Sequence, residues 1–180
     1  VMGDFLLGLI KEPNLVVTTL LYLITVTALR TGSARNARWS WLDTKTNTLT
    51  VPGQHMKGRV SFRCPLPKQA MVKLMVLKNF TGSKQGYIFE GLEGKPVSDA
   101  TPRYTLQRIT GDKTTVHGFR TLYSRVVSKM GKWREEVIEA QLTHAFAKTE
   151  MRQLYLGAED FLDQRRELVQ AYADWCDKQE

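Results

Sequence analysis

The stretch "LVVTTLLYLITVTAL" (Leu15–Leu29) contains no charged residue, and its side chains are mostly apolar. It follows Glu12-Pro13-Asn14, and proline is well tolerated in the first turn of a helix. The sequence therefore predicts a helix that is apolar nearly all round and buried on most faces. Three arginines, Arg30, Arg35 and Arg38, then fall within nine positions. Either they are solvated at the end of a surface helix, or the buried helix carries one of them into a cleft that binds an anion.

The composition is that of one globular domain with a basic surface. A chain of 180 residues, 42% of them hydrophobic and 24% charged, can bury a single core. The net charge of +8 and the pI near 9.6 favour a polyanionic partner, nucleic acid first and an anionic membrane second. The run Leu15–Leu29 is shorter than the ~20 residues that cross a bilayer. Two cysteines, Cys64 and Cys176, indicate a reducing compartment rather than a disulfide framework.

Two alternating runs, "TLTVP" (Thr48–Pro52) and "VSFRCPL" (Val60–Leu66), are joined by "GQHMKGR" and predict a β-hairpin with a long loop. In the second run Val60, Phe62, Cys64 and Leu66 are expected to share one face. Helices are predicted from Lys68 to about Lys78, from a Ser98 cap to near Thr110, from near Thr115, over Trp133–Leu142 and over Glu159–Asp177. The fold class is therefore mainly α with a small antiparallel β-sheet (α+β).

The segment "TTVHGFRTLYSRVV" (Thr114–Val127) places His117 and Arg120 three residues apart. On a helix both side chains lie on one face, with His117 in the first turn. That turn offers free backbone N–H groups and the positive end of the helix dipole, which suit a phosphate. Taken alone, the pattern is more typical of a capped amphipathic helix with a solvated polar face.

Three further residues have a structural and a functional interpretation. Lys57 lies in the hairpin loop beside a glycine, where a lysine is either solvated or able to reach a phosphate. His144 follows a predicted helix, and a single histidine is usually structural. Tyr155 is one of six tyrosines, so its chemistry alone does not single it out.

The order of these signals along the chain resembles the tyrosine recombinase (phage integrase) family, in particular integrases of satellite phages and genomic islands. Such integrases carry an arginine followed nine residues later by an aromatic residue, as Arg30 is by Trp39, and "RWSWLD" (Arg38–Asp43) is similar to their "W-S-x-x-D" block. "VPGQHMKGR" resembles the block that holds the family's lysine, and "HGFR" matches "H-x-x-R". "QLTH" resembles the family's "LGH" or "LAH", and "MRQLYLG" falls where the family has its tyrosine.

The resemblance implies a metal-independent DNA strand transferase that needs no cofactor. Its catalytic residues would be Arg30, Lys57, His117, Arg120, His144 and the nucleophile Tyr155. Tyr155 would attack the scissile phosphate to form a 3′-phosphotyrosine and release a 5′-hydroxyl. The arginines would stabilise the negative charge of the transition state. His117 would act as acid or base, His144 would bind a phosphate oxygen, and Lys57 would protonate the leaving oxygen.

One position departs from the family pattern. Members commonly have an acidic residue three positions after the first arginine, where this chain has Ser33. A carboxylate there would orient the arginine. Its absence leaves either a weaker hold on Arg30 or support from elsewhere in the fold. A "TG" pair also follows Arg30 instead of preceding it, which makes Arg35 a competitor that only the spacing to Trp39 rejects.

The resemblance also predicts the partners and the domain organisation. We expect residues 1–180 to form a single catalytic domain, a piece of a longer integrase without its arm-binding and core-binding domains. Double-stranded DNA carrying attachment sites is the predicted substrate, in a synaptic complex of protomers that is tetrameric on DNA. No membrane partner is expected. The expected location is the bacterial cytoplasm. The basic side chains proposed to contact the DNA backbone are Arg35, Arg59, Arg63, Lys84 and Lys132.

Three functions are compatible with these residues. The first is an active site-specific recombinase that integrates or excises mobile DNA. The second is a DNA-binding integrase remnant that does not cleave, an alternative prompted by Ser33. The third is a strand nicking and closing activity like that of type IB topoisomerases. For the segment after Tyr155, the apolar stripe of the last predicted helix either closes the domain's own core or docks on a neighbouring protomer.

Overall fold

The computed structural model describes residues 2–82, 86–143 and 161–179. Their helices are α1 (Met2–Lys11), α2 (Leu15–Thr27), α3 (Thr31–Arg35), α4 (Lys68–Thr81), α5 (Ala100–Thr110), α6 (Val116–Met130), α7 (Glu135–Leu142) and α8 (Leu162–Asp177). Three short strands complete the fold, so the predicted class, mainly α with a small antiparallel sheet, is confirmed.

Helix α2 is the central element of the domain. Asn14 caps it, because its side-chain oxygen accepts a 3.2 Å hydrogen bond from the backbone N–H of Val17. Every residue from Val17 to Thr27 is buried, since α4, α5, α6 and α8 all pack around this helix. The prediction of a helix buried on most faces is therefore confirmed. Among the helices of the described segments, none is both long enough and apolar enough to cross a membrane.

The sheet consists of β1 (Leu42–Asp43), β2 (Thr48–Val51) and β3 (Phe62–Pro65), antiparallel and in that order. The predicted hairpin is confirmed as β2 and β3, with Leu49 opposite Cys64. The prediction was wrong for Val60, which lies in the loop and is 73% exposed, because β3 begins only at Phe62. Strand β1 was not predicted, since two residues are too few to form an alternating pattern.

Helix α8 closes the core of its own chain. Leu168, Val169 and Cys176 are fully buried, and the helix packs on α2, α6, α7 and β3. The buried Arg165 donates a 2.9 Å hydrogen bond to the backbone carbonyl of Arg63 in β3. Helix α8 also contacts the start of α4, where the side-chain oxygen of Gln170 accepts a 2.9 Å hydrogen bond from the backbone N–H of Lys68. Of the two interpretations of the apolar stripe, the structure has the one in which it closes the domain's own core.

Candidate active site

The C-terminal end of α2 is held by side chains from two other helices. Gln141 in α7 donates a 2.7 Å hydrogen bond to the carbonyl of Thr27, and Arg120 in α6 donates to the carbonyl of Ala28. The last carbonyls of a helix have no partner inside it, so these bonds satisfy groups that would otherwise be buried and unpaired. Because the end of α2 is fixed in this way, the chain leaves it at a defined place, two residues before Arg30.

Arg120 is buried, with 6% of its surface exposed. Besides Ala28, its guanidinium donates a 2.6 Å hydrogen bond to the carbonyl of Leu142, so it links the ends of α2 and α7. Burial and the nearby charge of Arg30 lower the pKa of Arg120 to about 10, while Glu139 acts in the opposite direction. The guanidinium is still charged at neutral pH, because this pKa lies far above 7.

Arg30 reaches the same place from the start of α3. Its guanidinium donates to the Oγ1 of Thr143, the residue directly after Leu142. The two arginines therefore converge on the C-terminal end of α7, and they are near enough for Arg30 to depress the pKa of Arg120. Two partly desolvated cations repel each other, and an anion bound beside them would relieve that repulsion. The pair of arginines is therefore a candidate for binding an anion.

His117 lies in the first turn of α6, as predicted. Thr115 caps the helix by accepting a 3.0 Å hydrogen bond from the N–H of Gly118. The imidazole is exposed and borders a cavity of about 310 Å³ that Arg120 also lines, together with Thr121, Ser124, Arg125 and Leu142. This cavity is thus lined by a histidine from the first turn of α6 and by two arginines of the same helix, Arg120 and Arg125.

Lys57 lies at the exposed tip of the loop between β2 and β3. The base of the loop is packed: Met56 is 7% exposed, and the ring of His55 lies 5.0 Å from that of Trp41. The hydroxyl of Ser33 in α3 donates a 2.9 Å hydrogen bond to the carbonyl of His55. The loop is therefore tied to the short helix that begins directly after Arg30.

Two predicted catalytic residues, His144 and Tyr155, lie outside the described residues, as does Lys84. Their assignment stays a prediction from the sequence. The described chain reaches Thr143, which contacts Arg30, and resumes at Phe161, beside the guanidinium of Arg134 at 5.5 Å from the ring centroid.

The remaining residues predicted to contact the DNA backbone differ in their surroundings. Arg35 donates a 2.9 Å hydrogen bond to the carbonyl of Val97, and 26% of its side chain is exposed, so it supports the fold. Arg59, Arg63 and Lys132 are exposed.

Sequence reasoning did not single out Arg103 and Tyr104 in α5. Both line a groove of about 610 Å³ that His117 also borders. The guanidinium carbon of Arg103 lies 4.8 Å from the ring centroid of Tyr104, which is 56% exposed. A basic and an aromatic residue side by side on a polar helix are typical of nucleic-acid contacts, so the sequence contained this signal. Thr143 was missed because the sequence does not indicate that Arg30 reaches it.

Comparison with known proteins gives a consistent set of relatives. The chain is 34% identical over 177 residues to the prophage integrase IntZ of Escherichia coli (strain K12), covering 96% of this chain and 42% of the relative. It is 31% identical over 155 residues to the integrase of Shigella phage Sf6, covering 84% of this chain and 40% of that protein. The chain therefore spans about two fifths of the length of these curated relatives.

A solved structure shares the fold. The integrase from mycobacterium phage Brujita superposes with a TM-score of 0.68 over 93% of this chain and 55% of that chain, at 16% sequence identity. The model of the phage integrase family matches residues 7–160, a span that includes both converging arginines, the histidine of α6 and the hairpin lysine. With most of its length matched and relatives above 30% identity, this chain belongs to the phage integrase family.

Proposed function

We propose that the chain is the catalytic domain of a site-specific DNA recombinase that integrates or excises mobile DNA. One observation carries the proposal: Arg30, directly before α3, and Arg120 in α6 converge at the C-terminal end of α7, and Arg120 lines a cavity that His117 also borders. Two converging cations, together with a histidine in the first turn of α6, suit a phosphodiester whose negative charge increases in the transition state.

The proposed reaction is a transesterification at phosphorus. The Tyr155 oxygen forms a bond to the scissile phosphate while the bond to the 5′-oxygen breaks, which leaves a 3′-phosphotyrosine and a free 5′-hydroxyl. His117 is the proposed acceptor of the tyrosine proton, and Lys57 donates a proton to the leaving oxygen. Arg30 and Arg120 hold the nonbridging oxygens, with His144 as a further donor. Because the phosphodiester bond energy is kept in the covalent intermediate, religation needs no energy source.

Double-stranded DNA with attachment sites is the proposed substrate, and further integrase protomers are the proposed partners, four of them in a synaptic complex. The relatives are called integrases of phages and prophages, which supports this proposal. The net charge of +8 favours binding to DNA. The proposed location of this activity is the bacterial cytoplasm, where a DNA substrate of this kind is found. The proposed reaction uses side chains alone, without metal or cofactor.

The test is incubation with a nicked suicide duplex that carries the core site, followed by a denaturing gel. A covalent protein–DNA adduct is expected, and Tyr155→Phe should abolish it because the substitution removes the attacking oxygen. An adduct that persists in Tyr155→Phe would show that another residue is the nucleophile.

Two further outcomes would favour the other functions. DNA binding without an adduct would indicate an integrase remnant that does not cleave. Adduct formation with relaxation of supercoiled DNA, but without products that join two sites, would indicate a nicking and closing enzyme.

A further inference from the structure

Ser33 occupies the position at which family members commonly have an acidic residue, and the structure gives its side chain a definite contact. The hydroxyl is buried, with 3% of the residue exposed, and it donates a 2.9 Å hydrogen bond to the backbone carbonyl of His55. His55 lies two positions before Lys57 in the hairpin loop. Ser33 therefore bonds to the loop that carries the lysine, whereas Arg30 donates its hydrogen bond to the hydroxyl of Thr143.

The loop is held at its base and free at its tip. The ring of His55 packs on Trp41 and Met56 is buried, whereas residues 57–60 are exposed. Gly53 closes the base from the other side, since a Cβ at this position would lie 2.4 Å from the carbonyl oxygen of Arg59. The hydrogen bond from Ser33 thus acts on the packed part of the loop, shortly before the lysine.

Helix α3 connects the two functional groups. Arg30 stands directly before the helix and Ser33 lies within its first turn, so one short element carries an anion-binding guanidinium and an anchor for the lysine loop. A lysine side chain has several rotatable bonds, so the position of its backbone limits where the ammonium group can reach.

We propose that Ser33 is a positioning residue that acts through Lys57. Its hydrogen bond fixes the backbone of the loop in the position from which the lysine side chain reaches and protonates the leaving 5′-oxygen. The inference rests on the proposed function, in which Lys57 is the general acid. It assigns to Ser33 a role in leaving-group departure, separate from the hold on Arg30.

The test compares two suicide duplexes, one with the natural 5′-oxygen and one with sulfur in the bridging 5′ position. In the second, attack by the Tyr155 oxygen breaks the P–S bond and a 5′-thiolate leaves with the electron pair. A thiol has a pKa of about 8.5, so this leaving group needs no proton from Lys57. Wild-type cleavage of the natural duplex is measured first; its absence would contradict the proposed function rather than the role of Ser33.

Ser33→Ala is expected to slow cleavage of the natural duplex about threefold to tenfold, as loss of one hydrogen bond allows, and to cleave the sulfur duplex at the wild-type rate. Lys57→Ala should behave in the same way with a larger loss. The double variant should be no slower on the natural duplex than Lys57→Ala alone, because Ser33 acts only through the lysine.

Thr25→Ala is the matched control. Its buried hydroxyl donates a 2.8 Å hydrogen bond to the carbonyl of Leu21 within α2, far along the chain from the hairpin loop. Thr25→Ala should change the cleavage rates of the two duplexes by the same factor. If Ser33→Ala does not fold, Ser33→Cys, with a weaker donor of similar size, replaces it.

The proposal is overturned if Ser33→Ala slows cleavage of both duplexes to the same extent, or if it cleaves the natural duplex at the wild-type rate. It is also overturned if the double variant cleaves the natural duplex more slowly than Lys57→Ala alone. It is also overturned if sulfur does not rescue Lys57→Ala, because the lysine is then not the proton donor.

Discussion

At the scale of the residue, Thr143 combines an unfavourable backbone with a useful side chain. It ends α7 in the left-handed region, at φ 53° and ψ 33°, which a β-branched residue rarely adopts. Its Oγ1 accepts a hydrogen bond from Arg30. Glycine would fit the backbone better, and "LGH" is one of the family patterns that "QLTH" resembles. The side chain therefore gives Arg30 the support that an acid at position 33 would otherwise offer.

Thr143→Gly should raise the free energy of unfolding and slow cleavage. The substitution relieves strain of about 1 kcal/mol in the left-handed backbone, but it removes the acceptor that orients Arg30. Chemical denaturation measures the first effect, and adduct formation on the suicide duplex measures the second. Thr143→Ser keeps the hydroxyl and should retain cleavage near the wild-type rate. Faster cleavage by the glycine variant would contradict the positioning of Arg30 by Thr143.

At the scale of the element, α8 belongs to the core of its own chain. Arg165 contacts β3 and α7, with a 3.3 Å hydrogen bond to the Oε1 of Gln141 in addition to the one that reaches Arg63. Gln141 in turn holds the end of α2. Helix α8 therefore supports the element that delivers Arg30, although it contributes none of the predicted catalytic residues.

Leu168→Ala should lower the free energy of unfolding by about 2–5 kcal/mol, because it opens a cavity at a fully buried site between α8 and the core. Urea denaturation followed by circular dichroism measures the change. The midpoint should not depend on protein concentration, since the helix packs within one chain. A midpoint that rises with concentration would indicate that α8 packs on another copy.

At the scale of the whole molecule, the basic charge is divided between structural and exposed side chains. Arg35 and Arg38 are used inside the fold: Arg35 binds the Val97 carbonyl, and Arg38 donates a 2.9 Å hydrogen bond to the hydroxyl of Tyr87. Lys132 and Arg59 are exposed. Only the exposed group is free to exchange counterions for DNA phosphates, so net charge overstates the DNA-binding surface.

Lys132→Gln should weaken DNA binding and reduce the slope of log K against log salt by about 0.9, the change expected for one lost phosphate contact. Fluorescence anisotropy at several salt concentrations measures the slope. Arg35→Gln is the matched control, since it should lower stability and leave the slope unchanged. The reverse result would place the phosphate contact at Arg35.

The core should also make the protein sensitive to alkali. Burial raises the pKa of the Cys64 thiol to about 11 and that of Cys176 to about 12, and it raises the pKa values of Tyr123 and Tyr172. The folded state therefore holds these protons more tightly than the unfolded state. Between pH 9, near the usual thiol value, and pH 11, the unfolded chain releases protons that the folded chain keeps, so stability falls as pH rises.

The denaturation midpoint should accordingly drop between pH 8 and pH 10, and Cys64→Ala should show a smaller drop. One fully buried thiol accounts for at most about 1 kcal/mol per pH unit in this range. Arg120, whose pKa burial lowers to about 10, acts in the opposite direction above that pH, which is why the comparison ends there. An unchanged slope in Cys64→Ala would exclude the thiol as a contributor.

Much of the fold follows from local patterns in the sequence. The apolar run of α2, the alternating strands of the hairpin and the start of α6 near Thr115 are all predictable from the sequence, because helix-start signals and periodicity act over a few residues. The one-turn spacing of His117 and Arg120 and the nine-residue spacing from Arg30 to Trp39 likewise point to the candidate site. Phe62, where β3 begins, marks the limit of such patterns, since the alternation had placed Val60 in the strand.

Only the tertiary structure decided what the functional side chains contact. Arg30 meets Thr143 across 113 positions of sequence, Arg120 meets Ala28 across 92, and Ser33 meets the lysine loop rather than its neighbour Arg30. Sequence patterns predict such long-range hydrogen bonds poorly, because they depend on how whole helices pack and which buried carbonyls remain unpaired. The sequence by itself indicated the longer helices from α2 onward, the hairpin and the candidate residues, but not α1 or α3. Packing decided which residues hold the described candidates in place.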